Sequence, residues 1–156
     1  MTFALPTFSL GTIASSVSLQ SDDLTRESRV RSACLASDMR AALRSKLADL
    51  MVECAHEGWD GYGASPATEE ARDAAFRFIA ALPDGFMMPD ISADPDGCFT
   101  FEWHRSPRRA VLVSVHPDYH VDFSALIGSS RAFGDAPIFD ELPRRLVSQI
   151  EELYAH

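Results

Sequence analysis

Apolar residues change their period twice along this chain, from helical spacing to strand alternation and back. Between about Ser28 and Glu57, Leu43, Leu47, Leu50, Met51 and Cys54 recur at spacings of three and four, which makes one apolar helical stripe. Arg40, Arg44, Lys46, Asp49 and Glu53 fill much of the remaining surface. Upstream, Val30, Ala33, Cys34 and Ala41 continue a weaker stripe, so the helix is either long or broken near Ser37-Asp38. Gly58 is placed to end it. A second helix is predicted from Glu69 to about Leu82, with Thr68 before it and acids in its first turn, where the macrodipole favours them. Its inward residues are Ala71, Ala75, Phe78, Ile79 and Leu82, and Pro83-Asp84-Gly85 stops it.

From Ile91 to about Ile127 the period becomes two. Phe99, Phe101 and Trp103 alternate with polar residues; so do Val111, Val113 and Val115, and then Val121, Phe123, Ala125 and Ile127. Turn residues at 94–97, 106–108 and 117–119 separate these runs. Matching the apolar faces predicts a register: Phe99 opposite Val115, Phe101 opposite Val113, Trp103 opposite Val111, then Val115 opposite Val121 and Val113 opposite Phe123. A final helix is predicted from about Phe139 to Tyr154, with Leu142, Leu146, Ile150 and Leu153 as its stripe and Pro143 tolerated in its first turn. The expected fold is α+β: two N-terminal helices, an antiparallel meander of three to four strands and a C-terminal helix, with the helices packed on one sheet face.

Composition fits one domain over residues 24–156, since 156 residues with 46% hydrophobic and 24% charged are close to globular averages. Residues 1–23 read differently, as a Ser/Thr-rich segment with no clear period, expected to be flexible or to pair with a sheet edge. That segment lacks the basic and apolar regions of a secretory signal, and no run approaches the roughly 20 apolar residues of a membrane span. Three cysteines, with no CxxC, suit a reducing compartment, so a cytoplasmic location is expected. A net charge of −9 repels nucleic acid phosphate and suits a protein partner that is itself basic, including one that binds nucleic acid. The same charge also serves solubility alone.

Two groups of residues invite a chemical reading. The predicted register puts Cys98, His116 and His120 in one row of the polar sheet face, with Asp122 one row away beside Ser114. A thiol, two imidazoles and a carboxylate are the types that bind zinc, and Cys98 beside His116 is the type of pair that performs nucleophilic catalysis. His116 and His120 also flank a tight turn, where polar residues belong for structural reasons alone. No GxGxxG, GxxxxGK[ST], HExxH or GxSxG occurs, so no enzyme with a named mechanism is indicated and no cofactor is expected.

The second group is the loop Gly58-Trp59-Asp60-Gly61-Tyr62-Gly63-Ala64-Ser65-Pro66. Its glycines free the backbone for positive φ, and Trp59 and Tyr62 are good binding anchors where exposed. A structural role is the competing reading, with Trp59 plugging a gap and Asp60 capping nearby amides; Trp103, inside an apolar strand row, belongs to the core. Arg105, Arg108 and Arg109, and separately Arg144 and Arg145, are the basic clusters, fit either for an acidic partner or for solvent.

This loop, followed by Pro89 and by Gly97-Cys98-Phe99-Thr100-Phe101-Glu102-Trp103, resembles a group of small bacterial proteins with a W-D-G-Y-G-A-x-P segment and a later strand ending Glu-Trp. They look like accessory genes of phages and mobile elements. The resemblance spans roughly residues 55 to 127 and carries no activity to any residue. It implies antitoxin, immunity or anti-defence proteins of the anti-CRISPR kind, which act by binding. The leading expectation is therefore an acidic inhibitor that occupies a protein partner, either through the loop Trp59 to Pro66, with Trp59, Asp60 and Tyr62 as its binding residues, or through the polar sheet face. Two alternatives stand beside it. One is a small hydrolase or transferase built on Cys98, His116 and His120. The other is a self-associating subunit, a homodimer joined through an edge strand at Ile91–Ala93 or after Ile127.

Overall fold

The computed structural model describes the backbone of residues 13–155 and the side chains of residues 24–155. Its element order is α1 (Ile13–Glu53), α2 (Glu69–Ala81), β1 (Asp90–Ala93), β2 (Phe99–Ser106), β3 (Arg109–Val115), β4 (His120–Ile127), β5 (Ser130–Pro137) and α3 (Arg144–Tyr154). The five strands form one antiparallel sheet in the order β1-β2-β3-β4-β5, so each strand lies beside its sequence neighbours. The fold is α+β, with three helices and this sheet.

The expected register is the observed one: Phe99, Phe101 and Trp103 face Val115, Val113 and Val111, while Val113 and Val115 face Phe123 and Val121. A one-residue slip would turn every one of these apolar side chains to the other face, which is why alternation alone sufficed to find it. These strand residues share one buried cluster with Leu43 and Leu47 of α1, Phe78 and Ile79 of α2, and Leu146, Ile150 and Leu153 of α3. At its centre Phe78 lies 4.6 Å from Phe101 and 6.4 Å from Trp103, ring to ring. The indole N–H of Trp103 donates to the Met87 carbonyl at 2.8 Å, which answers the only polar group that this side chain buries.

Four expectations are corrected. First, α1 does not start near Ser28 or break at Ser37-Asp38; it runs unbroken from Ile13 over 41 residues, about 60 Å, and stops at Glu53 rather than Glu57. No glycine or proline interrupts residues 13–53, and that lack of a breaker outweighs the weak apolar period. Of the expected flexible or edge-pairing segment, residues 13–23 are therefore helix, and residues 1–12 lie outside the described residues. Second, the Cys54 carbonyl is taken by the Ala67 amide at 3.0 Å, and the chain leaves the helix before Gly58.

Third, the meander has a fifth strand. Its sequence, SRAFGDAP, holds Gly, Asp and Pro, all poor strand formers. Gly134 is there because a Cβ would come within 2.5 Å of the Phe123 ring, so the smallest residue lets β5 close against β4. Pro137 ends an edge strand, where no ladder donor is required. Fourth, α3 begins at Arg144, not Phe139, with Pro143 as its cap and no side-chain hydrogen bond to its first amides. Its buried stripe is the expected one, Leu142 joining Leu146, Ile150 and Leu153.

No helix among the described residues is long and apolar enough to cross a membrane.

Candidate functional site

The loop after α1 is built from its own backbone. The three glycines Gly58, Gly61 and Gly63 have φ of 70°, 80° and 98°, which residues with a Cβ rarely adopt. That freedom lets the Gly58 amide donate to the Ala64 carbonyl at 2.8 Å and the Gly61 amide to the Gly58 carbonyl at 2.8 Å. Asp60 lies inside the ring so formed, and one carboxylate oxygen accepts the amides of Tyr62 at 2.8 Å and Ala64 at 3.0 Å. These two bonds, Tyr62 first, hold the Asp60 carboxyl below the ordinary carboxylate value. The half-buried Trp59 donates its indole N–H to the Ser65 carbonyl at 3.0 Å. Trp59 and Asp60 are thus committed to holding the loop. Tyr62 is not: 95% of its surface meets solvent.

The far end of the loop is fastened to the sheet. The Ser65 amide donates to the Pro95 carbonyl at 2.8 Å in the β1–β2 turn. In the same turn Gly97 has φ of 88°, and a Cβ there would meet the Pro66 carbonyl oxygen at 3.0 Å. Tyr62 is therefore carried by a loop tied both to itself and to the sheet end that holds Cys98 and His116.

The expected row does form at that end, but it is a chain rather than a cluster. The Cys98 sulfur is 3.4 Å from His116 Nδ1, and His116 Nε2 is 3.0 Å from an Asp122 carboxylate oxygen. His120 turns away towards Asp118, its Nδ1 3.6 Å from that carboxylate. With the ring hydrogen on Nε2, the thiol donates to Nδ1 and the Nε2–H donates to Asp122. Beside it Thr100 donates to Asp94 at 2.6 Å, which leaves the Ser114 hydroxyl to donate to Thr100 at 2.8 Å.

A cysteine, a histidine and an acid at these distances have the outline of a nucleophilic triad. The electrostatics oppose it. Burial first, then the neighbouring carboxylates of Asp96, Asp94 and Asp118, push the Cys98 thiol up to about 12, and the residue is 5% exposed. At neutral pH about one thiol in 10⁵ is then ionised, whereas reactive cysteines lie in positive surroundings. Nor do Cys98, His116, His120 and Asp122 converge on a point. Among the described residues no group of three or more His, Cys, Asp or Glu could hold a metal ion.

The first basic cluster has a structural use. Arg109 donates to the Glu152 and Ala155 carbonyls at 2.9 and 3.0 Å, and Arg105 to the Leu153 carbonyl at 3.2 Å. Both cations cap the carbonyl end of α3, where the helix dipole is negative. Arg108 reaches the Gly128 carbonyl at 3.3 Å, while Arg144 and Arg145 are exposed.

One feature escaped the sequence reading because it depends on β5. On the sheet face away from the core, strand pairing sets Glu102, Leu112, Ser124 and Phe133 in one row and Thr100, Ser114, Asp122 and Asp135 in the next. Leu112 and Phe133 are 39% and 64% exposed, and with Ser114, Asp122, Ser124 and Asp135 they line an open depression of about 560 Å³. The available signal was Phe133 alone, a large apolar residue between Ala132 and Gly134.

No protein-family description matches the chain, and neither does any curated protein or solved structure.

Proposed function

We propose that this chain is a protein-binding module that acts by occupying its partner, with Tyr62 as the side chain that enters the partner. The observation that carries this reading is the contrast within the loop. The Trp59 indole and the Asp60 carboxylate are both bonded within the loop, yet Tyr62 is 95% exposed. A large aromatic on a backbone already held in place loses little conformational freedom on docking, and such residues dominate binding energy at interfaces. With a net charge of −9, the preferred partner is a basic protein, including one whose basic groove normally takes nucleic acid. Direct contact with nucleic acid or an anionic membrane is disfavoured by the same charge. The role that fits is an inhibitor of the antitoxin, immunity or anti-defence type, working in the cytoplasm.

A second reading, a hydrolase or transferase using Cys98, draws on the 3.4 Å and 3.0 Å links through His116. The buried, neutral thiol weighs against it.

The test is a pull-down from host lysate with the tagged full chain, identified by mass spectrometry. One basic protein should be retained by the unsubstituted chain and lost by Tyr62→Ala, whose thermal midpoint should stay unchanged because an exposed side chain contributes within about 0.5 kcal/mol. Retention of the same protein by Tyr62→Ala would remove the loop as the anchor.

A further inference from the structure

The sheet ends in two edge strands, and they are unlike. β1 has four residues, follows Pro89 and lies beside α1, whose Lys46 meets Asp90 at 3.5 Å. A strand so short, with a proline before it and a helix alongside, offers a second strand little to pair with. β5 has eight residues, none of them buried, and its single proline is its last residue, Pro137. Among the described residues β4 is the one strand beside it. The backbone of β5 alternates in direction, as in any strand. The Ile138 amide donates to the Tyr119 carbonyl at 2.7 Å, which shows that the even-numbered residues here turn their amides and carbonyls towards β4. Those of Arg131, Phe133 and Asp135 therefore point away from the sheet, and no hydrogen bond among the described residues takes them.

The side chains of the same three residues stand together on the sheet face away from the core, a cation, an aromatic ring and an anion in sequence, all exposed. That order is complementary to itself. Laid antiparallel against its own copy with Phe133 opposite Phe133, it sets each Arg131 opposite an Asp135, and opposite charges facing each other across strands are favourable. The backbone agrees, because residues 131, 133 and 135 are also those with outward amides and carbonyls, so each facing pair can exchange two hydrogen bonds. On the other face Ala132 meets Gly134, and neither is large enough to hold the strands apart. Other registers are worse. Moving the centre by one residue either way sets Phe133 opposite a charge, and moving it by two sets Arg131 opposite Arg131 or Asp135 opposite Asp135.

We infer that β5 pairs antiparallel with β5 of a second copy about a two-fold axis beside Phe133, which joins two five-stranded sheets into one of ten strands. Main-chain bonds supply the attraction, and the Arg131–Asp135 pairs fix direction and register. The axis brings the two Phe133 rings together, and Leu112, in the same row as Phe133, extends the apolar strip on each side. Each copy contributes the same strand, so the contact closes on itself as a dimer and leaves no edge for a third chain except the short β1. It uses neither Tyr62 nor its loop, and stands apart from the proposed function.

Sedimentation of the full chain over a rising concentration series tests this, with circular dichroism to check that each variant is folded. The unsubstituted chain should reach twice the mass of one copy. Arg131→Asp alone and Asp135→Arg alone each set like charges opposite at both symmetry-related positions, and should weaken association by about tenfold or more. Arg131→Asp/Asp135→Arg in one chain restores opposite charges in reversed order and should associate like the unsubstituted chain. So should an equal mixture of the two single variants, as a mixed pair. Phe133→Pro removes the central outward donor and none of the bonds to β4, so it should be folded and monomeric. Tyr62→Ala should sediment like the unsubstituted chain, so that a failure here and a failure of the loop anchor are read separately. A chain monomeric at every concentration overturns the inference. So do single variants that associate as tightly as the unsubstituted chain, a folded double variant that stays monomeric, or a folded Phe133→Pro chain that still pairs.

Discussion

The loop from Trp59 to Pro66 and the row from Cys98 to Asp122 meet at one end of the sheet, yet they use their polar groups in opposite ways. In the loop, backbone amides and the Asp60 carboxylate satisfy one another inward, and an aromatic side chain is left facing solvent. In the row the side chains satisfy one another, and the thiol of Cys98, the group that would react, is pushed up first by burial and then by its acidic neighbours. Residue types that suggest catalysis thus yield a closed hydrogen-bonded chain, while a segment that reads as a turn yields an available group. What remains after internal bonds are made decides which region is a site.

The strongest way to break the contrast is to damage the point where the regions touch. Gly97 has φ of 88°, and a Cβ there would meet the Pro66 carbonyl oxygen at 3.0 Å. Gly97→Val places a branched side chain in a left-handed conformation against backbone, which should cost about 2 kcal/mol. For a chain of this size the thermal midpoint should fall by about 6 °C. Both regions should loosen together, because the Ser65–Pro95 bond and the Cys98 turn share that contact. Unchanged stability would mean that the loop does not lean on the β1–β2 turn.

A smaller effect, confined to the loop, should follow from Asp60. Its folded carboxyl lies below the ordinary value of 3.8, so it binds a proton less readily when folded than when unfolded. Its contribution is therefore present above that value and is lost as the pH falls through the lower folded one. Hydrogen exchange should show the Tyr62 and Ala64 amides protected at neutral pH and opening under acid. Asp60→Ala should open both at every pH. Asp60→Asn keeps an acceptor oxygen and removes the titration, so protection should persist into acid. Protection in Asp60→Ala equal to that of the unsubstituted chain would show that the glycines hold the loop without it.

Legibility in the sequence followed how local each cause was. The strand register needed only alternation, and the Trp103 core position needed only its place in an apolar row. α1 was underestimated because its first part is exposed along its described side chains, so no core stripe marks it; only the lack of breakers does. β5 was missed because its reason for being a strand, the Phe123 ring over Gly134, belongs to another strand. Without β5 the neighbour of Leu112 across Ser124 was invisible, although the polar sheet face itself was legible from the alternation. In the site, the proximity of Cys98, His116 and Asp122 was legible from register. The turning away of His120 towards Asp118, and the burial and three nearby acids that push the thiol up, depend on turn geometry that no period encodes. Likewise Arg105 and Arg109 read as a surface cluster, since their acceptors are carbonyls at the far end of the chain.

The smallest expected effect is at Cys98, where the contrast predicts almost no reaction. Cys34 is exposed, whereas Cys54 and Cys98 are buried. Iodoacetamide applied to the native chain near neutral pH should label Cys34 and leave Cys98 until the protein unfolds. The folded thiol ionises near 12 against an ordinary value of 9.0, so its contribution to stability is whole below about 9 and declines as the pH climbs towards 12. Labelling of Cys98 should accordingly begin only in that alkaline range. His116→Ala should not slow it, because an imidazole that accepts the thiol proton's hydrogen bond without taking the proton is no activating base. If Cys98 were instead labelled at neutral pH as fast as Cys34, and His116→Ala slowed it, the row would be a working nucleophile.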